Sequence, residues 1–405
     1  MKKRIKICLW GGWFGSRNKG DHVILMTVAD LLRQHKPDCR IIVLTKNAQF
    51  VNTYMAEAGF PVEAIDKRNE WYKTIWHLLT CDLFVVTGGV PFYDKVSQMM
   101  IFLFFTGITR LGGGKAVMFG PSLMQMQNPL CRRLTKLIFG LMDFIAIREP
   151  WSINEIRKLG VRKKIFQTVE PGIVLHKTTE ARISEILREN DVSIETTQPL
   201  IGIVVRNLKV SHNQQVEHYR SVTQVDVDNL ITAVAHAADY LNSVGRVVFL
   251  PMNTAGFDND CMISQKIIEQ MKNGEGVTIF DGDYSAAEMM GVISRCEFML
   301  VNRFHSMILS FASHVPFFSI AYEHKFDGMT ERLGVPENNV DLVGLDANEF
   351  RQQIEVVWHN RQQIKETITQ KYDELVETLN VNVELMFDLA EKKKIDYEKF
   401  AHYFV

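Results

Sequence analysis

Residues 301–325, VNRFHSMILSFASHVPFFSIAYEHK, place Arg303 and His305 at the start of an apolar helical pattern and Lys325 just beyond an apolar strand. Two cations and one group that titrates near neutrality suit a site that holds a compact anion and moves a proton beside it. Asn302 reads as an N-cap, which sets Arg303 and His305 in the first helical turn, where backbone N–H groups already favour negative charge. If strand 316–322 pairs with strand 297–302, Arg303, His305 and Lys325 lie along one rim, with neighbouring strands about 4.8 Å apart. Glu323 and Asp327 are the nearby acids. Singly, each residue has an ordinary structural reading. Together they describe a site for a small, multiply anionic ligand carrying phosphate or carboxylate.

Other polar residues recur where β-rich runs end. After the first run, GGWFGSRNKGDHVIL carries Asn18, Gly20 and Asp21 into a helical pattern that continues to about His35, and Asp21 as an N-cap is the structural reading. The segment is neither a P-loop nor G-x-G-x-x-G. In TGGVPFYD, Gly88 and Gly89 permit close backbone approach to a ligand or form a tight turn. In IAIREPWS, Arg148 is a permanent cation just before a helix that Ser152 would cap, with pairing to Glu149 or another acid as the structural alternative.

The elements that must position these residues are short β-rich runs alternating with helical patterns. Runs at 4–10, 40–45, 82–89, 115–121, 144–149 and 165–172 are followed, after a polar stretch, by runs at 200–207, 246–252, 276–282, 297–302 and 316–322. Strands apolar on both faces and separated by helices imply parallel sheets covered on both sides. The expected fold is α/β, with two facing Rossmann-like domains at 1–177 and 200–345, a linker at 178–199 and C-terminal helices at 346–405. Ligands of open parallel sheets bind beyond the carboxyl ends of the strands.

With 46 basic and 47 acidic residues in 405, the formal net charge of -1 supplies no global field for nucleic acid or an anionic membrane. Any anionic ligand must be met locally. Six cysteines lack zinc-like spacing, no metal cluster is evident, and free thiols favour a reducing compartment, the cytoplasm. The start, MKKRIKICLWGGWFG, reads as a first strand and not a signal peptide. The most apolar window, MMIFLFFTGI at 99–108, is far short of the roughly 20 residues of a spanning helix. A buried helix is the preferred reading. Peripheral contact with the inner face of a membrane is the second, kept open by KLIFGLMDF at 136–144.

In order, these motifs resemble the polysaccharide pyruvyl transferase family: Asn18-Lys19-Gly20-Asp21, Gly88-Gly89, Gly120-Pro121, Arg148 to Ser152, Arg303-Phe304-His305 and Tyr322-Glu323-His324-Lys325. Val90, Glu149 and Glu170 depart from its pattern, where a third glycine and two aspartates are usual. The resemblance covers roughly residues 8–330. It implies a glycosyltransferase-B-like fold and transfer of a pyruvyl group from phosphoenolpyruvate onto a saccharide or lipid-linked saccharide as a ketal, in cell-surface polysaccharide biosynthesis. Phosphoenolpyruvate is then the donor substrate, with no other cofactor and no metal. On this reading Arg148 and Lys325 hold donor anions, Arg303 meets phosphate or holds its loop, and His305 does acid/base work. Asn18, Gly20, Asp21, Gly88 and Gly89 serve the acceptor or its loops. The alternative on the same architecture is a nucleotide-sugar-dependent glycosyltransferase, which needs a ribose-binding acid such as Glu288 or Asp283.

Overall fold

The computed structural model describes residues 4–16, 18–193, 198–208, 222–254 and 256–405. The chain divides into two compact units, one formed by Met1–Ser16, Ile24–Pro171 and Glu374–Val405, the other by Arg17–Val23 and Gly172–Asp373. This division differs from the sequence boundaries in three places: residues 17–23 cluster with the second unit, the second unit begins again at Gly172 and takes in the expected linker, and the C-terminal helices are shared. The linker expected at 178–199 contains a helix, and its residues 194–197 lie outside the described residues.

The first unit alternates β1 (Lys6–Trp10), α1 (Lys19–His35), β2 (Arg40–Thr45), α2 (Ala48–Glu57), β3 (Glu63–Asp66), α3 (Trp71–Thr80) and β4 (Leu83–Thr87). It continues with α4 (Val96–Leu111), β5 (Lys115–Phe119), α5 (Pro129–Leu141), β6 (Phe144–Ile147), α6 (Pro150–Lys158) and β7 (Phe166–Gln167). All pairings are parallel, in the order β3-β2-β1-β4-β5-β6-β7. Chain direction across the sheet reverses between β1 and β4. Right-handed crossovers therefore put α3, α4 and α5 together on one face, and α4 packs beside both α3 and α5. Trp10 anchors that face, its ring centroid 4.1 Å from Phe102 and 4.7 Å from Phe105.

The window at 99–108 falls in α4 and is only half of what the sequence suggests. Met99, Phe102 and Phe105 are buried, whereas Met100, Ile101 and Phe104 are exposed. A helix over one face of a sheet has a single side to bury, so a pattern apolar all round leaves its other side outward. No helix among the described residues is long and apolar enough to cross a membrane.

The second unit comprises α7 (Glu180–Glu189), β8 (Leu200–Val204), α8 (Gln224–Val244), β9 (Arg246–Phe249), α9 (Asp260–Gln270), β10 (Thr278–Ile279) and α10 (Ala286–Ile293). Next come β11 (Cys296–Val301), α11 (Phe304–Ala312), β12 (Phe317–Ala321), α12 (Lys325–Arg332), β13 (Asn339–Asp341), α13 (Ala347–His359) and α14 (Arg361–Ala390), the last continuing into the first unit. The parallel order is β10-β9-β8-β11-β12-β13. The edge strands β3 and β13 escape sequence reading because EAID and NVD carry no apolar run, as short protected edges commonly do not.

Candidate active site

In the second unit the strand order reverses between β8 and β11, and the crevice beyond the carboxyl ends at such a reversal is where open α/β sheets take ligands. Asn302, expected to cap α11, instead ties three strands together there. Its Oδ1 accepts from the Arg206 N–H (3.2 Å) and its Nδ2 donates to the Ile320 carbonyl (2.8 Å). The N-cap position belongs to Arg303, which forms no side-chain cap.

Arg303 is locked in a buried fork. Nε donates to Asp260 Oδ2 (2.9 Å), Nη2 to Asp260 Oδ1 (2.6 Å), and Nη2 also lies 3.2 Å from the Asp258 carboxylate. Asp260 further accepts from the backbone N–H groups of Asn207, Met252 and Asn253. Burial opposes the guanidinium charge, but the two aspartates outweigh it and raise its pKa. Arg303 thus braces the loops after β8, β9 and β11. The rim expected to be cationic is charge-balanced, because acids from a distant stretch, 258–260, return to it.

His305 is half-buried in the first turn of α11, beside the edge of the Phe304 ring (centroids 5.4 Å apart). The residue packed on it is Gly20: a Cβ there would lie 2.2 Å from His305 Nδ1. Gly20 is needed for space. Tertiary folding therefore joins the Asn18-Lys19-Gly20-Asp21 motif to the Arg303-Phe304-His305 motif within one unit. The family resemblance alone implies the acceptor side, or its loops, for Asn18, Gly20 and Asp21. Asn18, not Asp21, caps α1, its Oδ1 accepting from the Gly20 N–H (3.0 Å). Asp21 is buried in the first turn. Lys19, which the sequence reading passed over, is also buried, with Nζ 3.4 Å from the Pro251 carbonyl. Burial lowers its pKa, against the pull of Asp283 and Asp260.

Gly20→Ala gives a direct check of this packing. Alanine is normally favoured over glycine within a helix by about 1 kcal/mol, so a harmless site would gain stability. Here we expect the methyl group to turn the imidazole aside, cutting turnover while circular dichroism stays native. Unimpaired turnover in Gly20→Ala would show that His305 can sit elsewhere and still function.

Lys325 opens α12, where the N-cap residue His324 provides no side-chain cap. Its ammonium pairs with Glu323 (2.8 Å) and lies 5.1 Å from the Phe304 ring centroid, next to His305. Arg206, a second residue absent from the sequence reading, donates through Nη1 to the Tyr322 hydroxyl (3.0 Å). Its signal was available, since it follows β8 as Arg303 follows β11. The helices α11 and α12 thus start at adjacent strand ends without side-chain caps, the local setting in which backbone N–H groups bind anions.

In the first unit, Gly88 and Gly89 turn the chain after β4 at φ +73° and +57°. A Cβ on Gly88 would lie 2.8 Å from Ile24 Cγ2. Arg148 is not presented to a ligand. It is fully buried, with Nη1 on Glu170, Nε on Ser122 (2.9 Å) and Glu149 (3.3 Å), and Nη2 3.4 Å from the Gly89 carbonyl. The structural alternative, pairing with acids, describes this residue; what it positions is the Gly89 turn. Ser152 does not cap α6, which starts at Pro150 with Glu149 as N-cap, and bonds Glu149 instead.

Beyond β1 and β4 of the same unit lies a cleft of about 230 Å³ that sequence reasoning missed. Trp13 is 61% exposed on it, with Lys46 Nζ 5.2 Å from its ring centroid, and Lys67 Nζ lies 4.9 Å over Trp10. Lys95 completes the cationic lining. Burial, reinforced by Lys46 and Arg68, lowers the Lys67 pKa to about 8. Among the described residues no group of three or more His, Cys, Asp or Glu side chains is placed to hold a metal ion.

The model of the polysaccharide pyruvyl transferase family matches residues 18–324. The chain belongs to that family. The matched span opens on Asn18, includes Arg303 and His305, and closes one residue before Lys325. Membership makes the protein a transferase. A curated relative, the amylovoran biosynthesis protein AmsJ of Erwinia amylovora, is 22% identical over 408 residues, covering 88% of this chain and 93% of its own. A glycosyltransferase from Rickettsia africae (TM-score 0.61, 9% identity) covers 96% of this chain and 99% of its own. A putative UDP-N-acetylglucosamine 2-epimerase from Listeria monocytogenes (TM-score 0.59, 10% identity) covers 97% and 98%. At such identities these two speak for the glycosyltransferase-B-like fold alone. Glu149 and Glu170, two of the departures from the family's pattern, are the two carboxylates on Arg148, so both changes retain the charge that its burial demands.

Proposed function

We propose that the protein transfers the pyruvyl group of phosphoenolpyruvate to two hydroxyls of a saccharide, as a cyclic ketal, in the assembly of a cell-surface polysaccharide. The carrying observation is His305, half-buried in the first turn of α11, with the ammonium of Lys325, at the start of α12, 5.1 Å from the ring centroid of the neighbouring Phe304. Two adjacent helix N-termini suit a donor with two anionic groups, and Lys325 and Arg206 can exchange Glu323 and the Tyr322 hydroxyl for donor oxygens. In the reaction, C3 of the enol gains a proton and C2 accepts an acceptor oxygen. The C2–O bond to phosphate breaks and a second hydroxyl closes the ketal. One hydroxyl proton ends on C3 and the other on phosphate, so only donor and acceptor are consumed. His305 is the group assigned to that proton transfer. The cleft of Trp13 and three lysines in the first unit has the make-up of a saccharide-binding surface in its own right, with the indole offering a flat face to a sugar. The relative named for amylovoran biosynthesis supports an exopolysaccharide context. We place the reaction in the cytoplasm, where this donor is made.

The nucleotide-sugar alternative has lost one of its acids. Glu288 completes the capping box of α10 and pairs with Arg182 (2.7 Å), which commits it to structure. Thermal unfolding separates the two readings. Phosphoenolpyruvate at ten times its Kd should stabilise the protein by about 1.4 kcal/mol, with or without chelator. A rise in Tm with a UDP-sugar and none with phosphoenolpyruvate would transfer the assignment to the alternative.

A further inference from the structure

The helices α3, α4 and α5 lie side by side on one face of the first sheet and bury their inner sides in a common core. Their outer sides are apolar as well. On α3 the exposed stripe is Tyr72, Trp76 and Leu79, at 57%, 64% and 38% exposure. On α4 it is Met100, Ile101, Phe104 and Leu111, the last 85% exposed, and on α5 Leu130 and Leu137. The spacings of three, four and seven residues keep each stripe on one side of its helix. A folded monomer rarely leaves so many large apolar side chains together in water unless the surface is used.

The charges on these helices are of one sign. Lys73, Arg110, Arg132, Arg133 and Lys136 are their ionisable basic residues apart from His77, and none of the three helices contains an aspartate or glutamate. Lys73 pairs with Glu70 and Arg110 with Asp143 outside the helices. Arg133 and Lys136 are exposed between Leu130 and Leu137, and no carboxylate pairs with them among the described residues. This asymmetry arises in a chain whose formal net charge is only -1, so it is a local feature.

We infer that the outer face of α3, α4 and α5 docks on an anionic lipid bilayer. Tryptophan and tyrosine favour the headgroup level, the aliphatic and phenylalanine side chains enter the acyl boundary, and the cations meet lipid phosphate. A second copy of the chain fits the same face poorly. An isologous contact sets a patch against itself, bringing Arg133 and Lys136 against their own counterparts without acids on these helices to match. A docked lipid face would also hold the transferase beside acceptors carried on lipid, but the inference stands on the surface and not on the donor.

Sedimentation of the full chain with lipid vesicles tests it, with no substrate present. The protein should bind vesicles containing phosphatidylglycerol far better than phosphatidylcholine alone, and added salt should weaken binding. Trp76→Glu combined with Phe104→Glu should lower the bound fraction roughly tenfold or more. Both positions are solvent-exposed, so circular dichroism and Tm should remain native. Arg133→Glu with Lys136→Glu should abolish the preference for phosphatidylglycerol. Absence of binding to either vesicle, or equal binding by the Trp76/Phe104 variant, would overturn the inference. So would a wild-type dimer, seen by light scattering, that the same two substitutions dissociate.

Discussion

His305→Ala is expected to lower kcat by about 10²–10⁴, the range for loss of a positioned acid or base, while phosphoenolpyruvate binding changes far less. The imidazole sits in the first turn of α11 against Gly20 and the Phe304 ring, and Lys325 Nζ lies 5.1 Å from the centroid of that ring. Its removal leaves Arg206, Lys325 and both helix N-termini in place, so groups that bind anions survive and a group that moves protons does not. Phosphate release reads turnover, and the donor-induced rise in Tm reads binding. His305→Gln separates chemistry from packing: glutamine fills much of the space and hydrogen-bonds but does not titrate. Recovery of wild-type turnover in the glutamine variant, or near-normal turnover in the alanine variant, would remove proton transfer from this residue.

Arg148→Ala should destabilise the first unit by about 3–5 kcal/mol, as breaking a buried ion pair from one side usually does. The substitution strands Glu149 and Glu170, both fully buried, without their shared cation. Burial already holds the Glu149 carboxyl above its ordinary value, against the pull of Arg148. Without the arginine its pKa moves further up, and the native state then binds protons more strongly than the unfolded chain. Stability is therefore retained at low pH and lost as pH rises through the raised value, so the deficit of Arg148→Ala should shrink on acidification. Arg148→Met combined with Glu149→Gln and Glu170→Gln, which leaves no charge stranded, should recover much of the loss in denaturant unfolding. An Arg148→Ala protein with wild-type stability but no response to phosphoenolpyruvate would return the residue to the donor site.

Alternating apolar runs and helical patterns identified the parallel α/β architecture and the two doubly wound sheets, because a strand buried on both faces must be apolar at every position. The same logic located Arg303, His305 and Lys325 beyond strand ends, since polar residues there escape burial in the sheet. It missed Arg206, whose place after β8 was the available signal, and Asp258 and Asp260, whose cationic partner Arg303 lies 45 and 43 positions away. It also misassigned Arg148, because a cation at a strand end looks alike whether acids or solvent await it.

Residue type and local spacing, then, determined the sheets, the strand-end loops and the His305 motif, all of which rest on short-range periodicity. Tertiary structure alone decided three matters. Asp260 closes on Arg303 across 43 positions, converting a cation at a rim into a brace. Gly20 meets His305 because the start of α1 packs in the second unit, a contact that depends on how the chain returns and not on either motif. And α4, apolar on every side, could bury only the side that faced its sheet; the geometry of one helix layer over one sheet left Phe104 and its neighbours in the open.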